Sequence, residues 1–239
     1  MKAYYARELT ILPSMCDSAG KLGVPNAFSL FMDVATEHAE RLGIGMDSFA
    51  ERGLFWLTVR TRLRFIRRPE MNEVVSASTW PETPERSRCN RDYRLEANGE
   101  TLIEGKTEWM IMNLKTGRLF PVDGVFPADM EVPDARVLEE PFMRMTDDFA
   151  EADAIGGYTV RSTDIDVGGH MNNAAYVRAI AGLFTAKAWQ EMNIREMEVA
   201  FRAPCFEGNA LMAQKRRNGD AIEIRLSHEG KTIVLARIK

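Results

Sequence analysis

The sequence predicts an α+β protein built twice over, with two antiparallel sheets that each wrap a long central helix. Three observations carry this. Residues 57–65 alternate Leu57, Val59, Leu63 and Phe65 with Thr58, Arg60, Arg62 and Arg64, the period of two of a strand with one buried and one wet face. Residues 25–42 put Phe28, Phe31, Met32, Ala35 and Leu42 on one face of a helix. An Asp-containing turn precedes a long apolar helix in each half of the chain.

In chain order, a strand is expected at Tyr4 to Leu12, followed by a turn-rich segment from Pro13 to Gly23. The first helix follows, with Pro25 suited to its first turn and Gly43 to its end. Beyond the strand at 57–65, further strands are expected at Val74 to Trp80, Arg88 to Leu95 and Thr101 to Met112. Asn98-Gly99 marks a tight hairpin between the last two. From Lys115 to Gly157 the texture changes: Pro121, Pro127, Pro133 and Pro141 interrupt it and acidic residues gather, which reads as an extended crossover linker. A strand at Tyr158 to Thr163 leads into the second turn, and a helix from Asn173 to Gln190 follows. Its Gly182 and alanines 174, 175, 179, 181, 186 and 188 fit a helix buried closely on most sides. Strands at Met197 to Arg202, Ala210 to Arg216, Ala221 to Leu226 and Thr232 to Ile238 complete the chain, with hairpins at Asn218-Gly219 and Glu229-Gly230. This gives an N-terminal domain over 1–125, a crossover linker over 126–156 and a C-terminal domain over 157–239.

The halves repeat in residues as well as in plan. Cys16-Asp17-Ser18-Ala19-Gly20-Lys21 stands before the first helix as Ile165-Asp166-Val167-Gly168-Gly169-His170 stands before the second. Strand, Asp-containing turn, long helix and antiparallel meander describe the hot-dog fold. Two copies make a tandem, or double, hot dog.

Bulk properties narrow the setting. A net charge of −4 argues against nucleic acid as the main partner. Three cysteines, far apart and odd in number, offer neither a disulfide framework nor a CxxC metal spacing, which fits a reducing compartment. Met1 to Thr10 lacks the continuous apolar core of a signal peptide, and no apolar run approaches the roughly 18 residues of a membrane span. A soluble, cytoplasmic protein is expected.

The chemistry is expected between Asp164 and Asn173, where two carboxylates, two glycines, an imidazole and two amides occupy ten positions before a helix. A helix N-terminus presents unpaired N–H groups and a partial positive charge. A carboxylate beside it can attack, or activate water, next to a ready-made oxyanion site. Asp166 is that carboxylate; its plain role would be a turn cap. His170 is one of three histidines and could steady the carboxylate or the oxyanion, or act as base. One of Asn172 and Asn173 caps the helix and the other orients the substrate. Gly168 and Gly169 allow close backbone approach, while Asp164 is read as a hydrogen-bonding strand-end residue. Cys205 is read as inert, Asp17 as a relic site, and His38 as a core or groove residue. Trp56, Trp80 and Trp109 are core or tunnel-wall aromatics. The basic rows Arg60, Arg62, Arg64 and Lys215, Arg216, Arg217 read as solvated sheet faces, with docking of an acidic carrier as the functional alternative.

Read together, these residues resemble the acyl-acyl carrier protein thioesterases of bacteria and plant plastids. The resemblance rests on Asp17-Ser18-Ala19-Gly20, Ala35-Thr36-Glu37-His38-Ala39, Gly53-Leu54-Phe55-Trp56, Arg68-Pro69, Thr79-Trp80 and Glu108-Trp109, then on Asp164-Ile165-Asp166, His170-Met171-Asn172-Asn173 and Tyr176. It implies hydrolysis of the thioester joining a fatty acyl chain to the phosphopantetheine of acyl carrier protein. The first hot dog would shape the acyl pocket and the second carry the catalysis. On this resemblance Asp166, His170, Asn172 and Asn173 are the expected catalytic residues, and Gly168, Gly169, Trp56, Trp80 and Trp109 the expected substrate-binding ones. No metal or organic cofactor is implied, and the chain could be a monomer or a homodimer. Two positions depart from the family pattern: Gly168 stands where many members have Asn, and Pro204 where Glu is usual. They keep two alternatives open: an acyl-coenzyme A thioesterase of the same fold, and an acyl-thioester-binding protein whose catalysis has decayed. A dehydratase has nothing in its favour beyond shared fold.

Overall fold

The computed structural model describes residues 3–239; Met1 and Lys2, part of the segment read above for a leader, lie outside it. The chain divides into two compact units that part between Pro141 and Phe142.

In the first unit, strand β1 (Tyr5–Thr10) and a 3₁₀ turn (Pro13–Met15) lead to α1 (Val24–Arg41) and a short α2 (Met46–Arg52). Strands β2 (Leu54–Phe65), β3 (Val74–Pro81), β4 (Cys89–Ala97), β5 (Glu100–Asn113) and β6 (Arg118–Phe120) follow. All pairings are antiparallel, in the order β1-β3-β4-β5-β2 with β6 added to β5. The sequence places α1 and its termini well: Pro25 lies in the first turn, and Gly43 takes φ +71° just past the end. Phe28, Phe31, Ala35 and Leu42 of its apolar stripe are buried and Met32 half-buried, with Phe31 against Tyr93 at 5.0 Å between ring centroids. Asn98 and Gly99 both take positive φ, as a two-residue hairpin requires.

The face against α1 carries Thr79, Tyr93, Gly105 and Leu63 in a row across β3, β4, β5 and β2. Gly105 is a matter of room: a Cβ there would lie 2.6 Å from Leu63 Cδ2 and 3.4 Å from Tyr93 Cβ. The opposite face carries the row Trp80, Asp92, Lys106 and Arg62. The alternation in β2 predicts that Arg62 is wet, yet it is buried. A bulge between Thr58 and Arg60 interrupts the period. The segment expected as a free linker also lies on this face: Trp80 Nε1 donates to Ala135 O at 2.7 Å, Val137 and Leu138 pack on its ring, and Arg64 bonds Glu140.

In the second unit, β7 (Ala154–Thr159) and a 3₁₀ turn (Ser162–Asp164) precede α3 (Asn173–Ala181) and α4 (Ala186–Glu191). Strands β8 (Glu196–Phe201), β9 (Ala210–Asn218), β10 (Ala221–His228) and β11 (Lys231–Ile238) complete an antiparallel sheet ordered β8-β11-β10-β9-β7. Two expectations fail here. The strand before the motif ends at Thr159, because the Asp164 carboxylate gathers the Arg161 N–H and folds 162–164 into a 3₁₀ turn. The long helix breaks after Ala181, where Gly182 weakens it and Thr185 caps a new start by accepting from Ala188 N–H at 3.1 Å. Ala174, Ala175 and Ala179 are buried as predicted, but Ala186 and Gly182 are exposed. Residues 142–150 lie along this sheet as the preceding residues lie along the first: the Met143 N–H donates to Glu198 at 3.0 Å, Thr232 to Asp147 at 3.1 Å, and Arg216 to Asp148 at 3.0 Å.

Candidate active site

The segment between β7 and α3 folds on local chemistry. Asp164 is buried, and its Oδ2 accepts from Tyr158 OH at 2.6 Å and from the Arg161 N–H at 2.9 Å. Its carbonyl accepts the Asn172 N–H at 2.8 Å, so it ties strand end to helix start. Between them Asp166 opens a tight turn. Its N–H donates to His170 O at 2.9 Å, its carbonyl accepts from Gly169 at 2.9 Å, and its Oδ1 accepts from the Gly168 N–H at 2.9 Å. Gly169 takes φ +76°, a conformation side chains resist. The turn thus holds Asp166 and His170 at its two ends, both half-buried, just before α3.

At the helix start, Asn172 is the cap. Its Oδ1 accepts the Ala174 N–H at 2.9 Å. Asn173 is the first helical residue, and among the described residues neither its side chain nor its N–H has a protein partner. Residues 204–206 close the other side. The Cys205 N–H donates to Tyr176 OH at 3.1 Å, the Cys205 carbonyl accepts from the Met171 N–H at 2.8 Å, and the Phe206 ring lies 5.2 Å from the His170 ring. Burial pushes the Cys205 thiol up, away from the reactive thiolate. Burial also pushes the Tyr176 phenol up, with the neighbouring Cys205 and Asp166 adding to the effect.

The first unit contains the same turn, atom for atom. Asp17 N–H donates to Lys21 O at 2.8 Å, its carbonyl accepts from Gly20 at 3.0 Å, its Oδ1 accepts from the Ala19 N–H at 2.9 Å, and Gly20 takes φ +70°. The decisive difference is across the fold: Arg68 pairs with Asp17 Oδ2 and also donates to Leu22 O. Asp17 is neutralised by a guanidinium. No such cation is recorded on Asp166 among the described residues.

The three predicted tryptophans and His38 belong to the first unit. Trp56, whose Nε1 donates to Ile44 O at 2.8 Å, anchors an aromatic cluster with Phe49, Trp109 and Phe126 around α2. Trp80 lies on the face turned away from α1, so it lines no slot between that helix and its sheet. His38 is buried and neutral. Burial, then Arg91 and Arg41, lower its pKa to about 3, and its Nδ1 meets Arg91 Nη1 at 2.8 Å. The basic rows are only partly solvated: Lys215 and Arg217 are exposed, while Arg62 is buried. Arg60 pairs with Glu108, Arg64 with Glu104 and Glu140, and Arg216 with Glu223 and Asp148, which weakens the docking alternative. What the sequence reading missed is non-local: the Arg68–Asp17 lock and the Tyr176–Cys205 link join residues 51 and 29 positions apart.

Two family models match the chain in succession. The acyl-ACP thioesterase N-terminal domain matches residues 2–127 and the acyl-ACP thioesterase C-terminal domain residues 148–239. Among curated relatives, a chloroplastic acyl-[acyl-carrier-protein] hydrolase of Cuphea viscosissima is 23% identical over 79% of this chain and 48% of its own length. A chloroplastic palmitoyl-acyl carrier protein thioesterase of Arabidopsis thaliana is 25% identical over 76% and 47%. The chain thus spans about half the length of the curated relatives it matches. Among solved structures, an acyl-ACP thioesterase from Bacteroides thetaiotaomicron superposes with TM-score 0.86 at 21% identity, covering 99% of this chain and 97% of that one. The 12:0-ACP thioesterase from Umbellularia californica gives 0.81 at 20%, covering 99% and 96%. At these identities the likeness establishes the shared double hot-dog fold.

Proposed function

Since the chain belongs to the acyl-ACP thioesterase family, we propose that it hydrolyses fatty acyl-[acyl carrier protein] thioesters to free fatty acid and holo-carrier protein. The observation that carries this reading is the Asp166 turn: a carboxylate with no recorded cationic partner, set before the N-terminus of α3 with His170 at the far end of the same turn. Asp166 attacks the thioester carbonyl, or takes a proton from the water that does. Negative charge then develops on the carbonyl oxygen, where the α3 dipole and the amides of Asn173 stabilise it. Collapse expels the pantetheine thiolate, which takes a proton. If Asp166 attacked directly, water hydrolyses the resulting anhydride. His170 steadies the carboxylate or donates that proton. Gly168 and Gly169 keep the approach to Asp166 free of side chains. None of these steps needs a metal or cofactor.

The same turn would serve a coenzyme A ester. Gly168 in place of Asn favours this second reading, because a bare Asp-x-x-Gly turn before a helix is sufficient for it. The test is thiol release from acyl carrier protein thioesters of graded chain length, with matched coenzyme A esters alongside. Faster release from the carrier esters supports the proposal, and faster release from the coenzyme A esters replaces it. Asp166→Asn should lose at least a thousandfold in kcat while keeping its Tm. An unchanged kcat removes Asp166 from the mechanism.

A further inference from the structure

Tyr176 stands outside the steps above, yet its hydroxyl touches the segment that borders them. The ring is buried against Phe201 at 5.9 Å, which accounts for the ring but not for the hydroxyl. The hydroxyl accepts the Cys205 N–H at 3.1 Å, and the Cys205 carbonyl accepts the Met171 N–H at 2.8 Å. Both peptide groups of Cys205 are therefore tied, one to the first turn of α3 and one to the residue after His170. The next residue, Phe206, lays its ring 5.2 Å from the imidazole, and its own N–H is fixed by Asn209 at 2.9 Å. Where the family usually has a Glu, Pro204 supplies no polar side chain and no N–H. This segment thus reaches the site through its backbone anchoring and the Phe206 ring.

We propose that Tyr176 is a positioning residue, whose hydroxyl pins residues 204–206 so that Phe206 orients the His170 imidazole at the end of the Asp166 turn. The proposal rests on the functional reading above. An orienting contact of this kind acts on kcat, because misplacing a reacting group by about 1 Å can cost on the order of 10²-fold in rate.

The experiment uses Tyr176→Phe, which keeps the ring and removes only the hydroxyl, together with Phe206→Ala and the double variant. Tyr176→Phe should lower kcat by about tenfold with KM within twofold of wild type. The double variant should be no slower than the slower single variant, the non-additivity of two residues acting along one path. A lower Tm with unchanged kcat would reduce Tyr176 to packing, and multiplicative losses would break the link to Phe206. A readout independent of turnover separates this from failure of the functional reading. The His170 ring resonances, assigned by comparison with His170→Gln, should move in Tyr176→Phe. If the wild type hydrolyses no ester but these signals move, the hydrolase reading fails and the positioning stands. If they stay where the wild type has them, the positioning is overturned.

Discussion

Asp17 and Asp166 occupy equivalent turns, but Arg68 pairs with Asp17, and Lys21 stands where the second turn has His170. Arg68 neutralises Asp17 in a setting less than a fifth exposed, so that carboxylate is structural. Asp17→Asn should therefore lower Tm, at a cost of about 1.5–3 kcal/mol for a hydrogen bond to a charged group, and leave kcat within twofold. Asp166→Asn should do the reverse. Thermal unfolding and steady-state kinetics on the two variants decide between the turns, and a kcat loss in Asp17→Asn would contradict the assignment. At this scale the sequence was legible wherever the chemistry is local. The Asp-x-x-Gly spacing foretells a side chain bonded two residues on, and an Asn pair before a helix foretells a cap. It could not say that Asn172 rather than Asn173 is that cap, because a shift of one residue leaves the pattern unchanged. Nor could it pair Asp17 with Arg68, since their proximity exists only once β1 and β3 are in register.

Among elements, strands and hairpins were readable because β-branched and aromatic runs between Asn-Gly and Glu-Gly signals leave few alternatives. Both residues at Asn98-Gly99 and at Glu229-Gly230 take positive φ. The sequence hides the break in the second helix because a run of alanines favours helix whether or not anything buries it. The Asp166 turn, as an element, depends on Gly169. A Cβ there would meet nothing within 4 Å, so the cost of Gly169→Ala is conformational alone, roughly 1–2 kcal/mol for φ +76°. Gly169→Asn should retain more stability than Gly169→Ala, because Asn tolerates the left-handed region. Urea unfolding of both variants checks this, and equal losses would show that the turn relaxes out of that conformation. Gly105→Ala has a different cause: the added methyl collides with Leu63 and Tyr93 and should cost about 1–3 kcal/mol by overpacking.

For the whole molecule, two buried groups give stability opposite dependences on pH. His38 is held neutral down to about pH 3, against an ordinary value of 6.5. Between those values the unfolded chain binds the extra proton, so this contribution is lost as pH falls from about 6.5. Asp92 is pushed up to about 7 from 3.8, by burial above all, against the pull of Lys106. There the folded chain binds the extra proton, so stability is lost as pH rises from about 4 to 7. Relative to wild type, His38→Gln should gain stability as pH falls through the first window. Asp92→Asn should gain as pH rises through the second, each by a few kcal/mol on an order-of-magnitude reckoning. Chemical denaturation at pH 4, 5.5 and 7 reads both slopes, and parallel profiles for wild type and either variant would remove that group from the account. The sequence places His38 in the core or a groove, but carries no sign that Asp92 is buried. The polar row of Asp92, Lys106 and Arg62 reads as a wet face until residues 135–140 are laid over it.

The Arg68 lock also bears on what would re-arm the first turn. That turn keeps the aspartate, the left-handed glycine and the matching hydrogen bonds. Arg68 pairs with its carboxylate, however, Lys21 stands where the second turn has His170, and Gly23 and Val24 stand where it has Asn172 and Asn173. Freeing the carboxylate is therefore one change among several, since the imidazole and the amides at the helix start are missing as well.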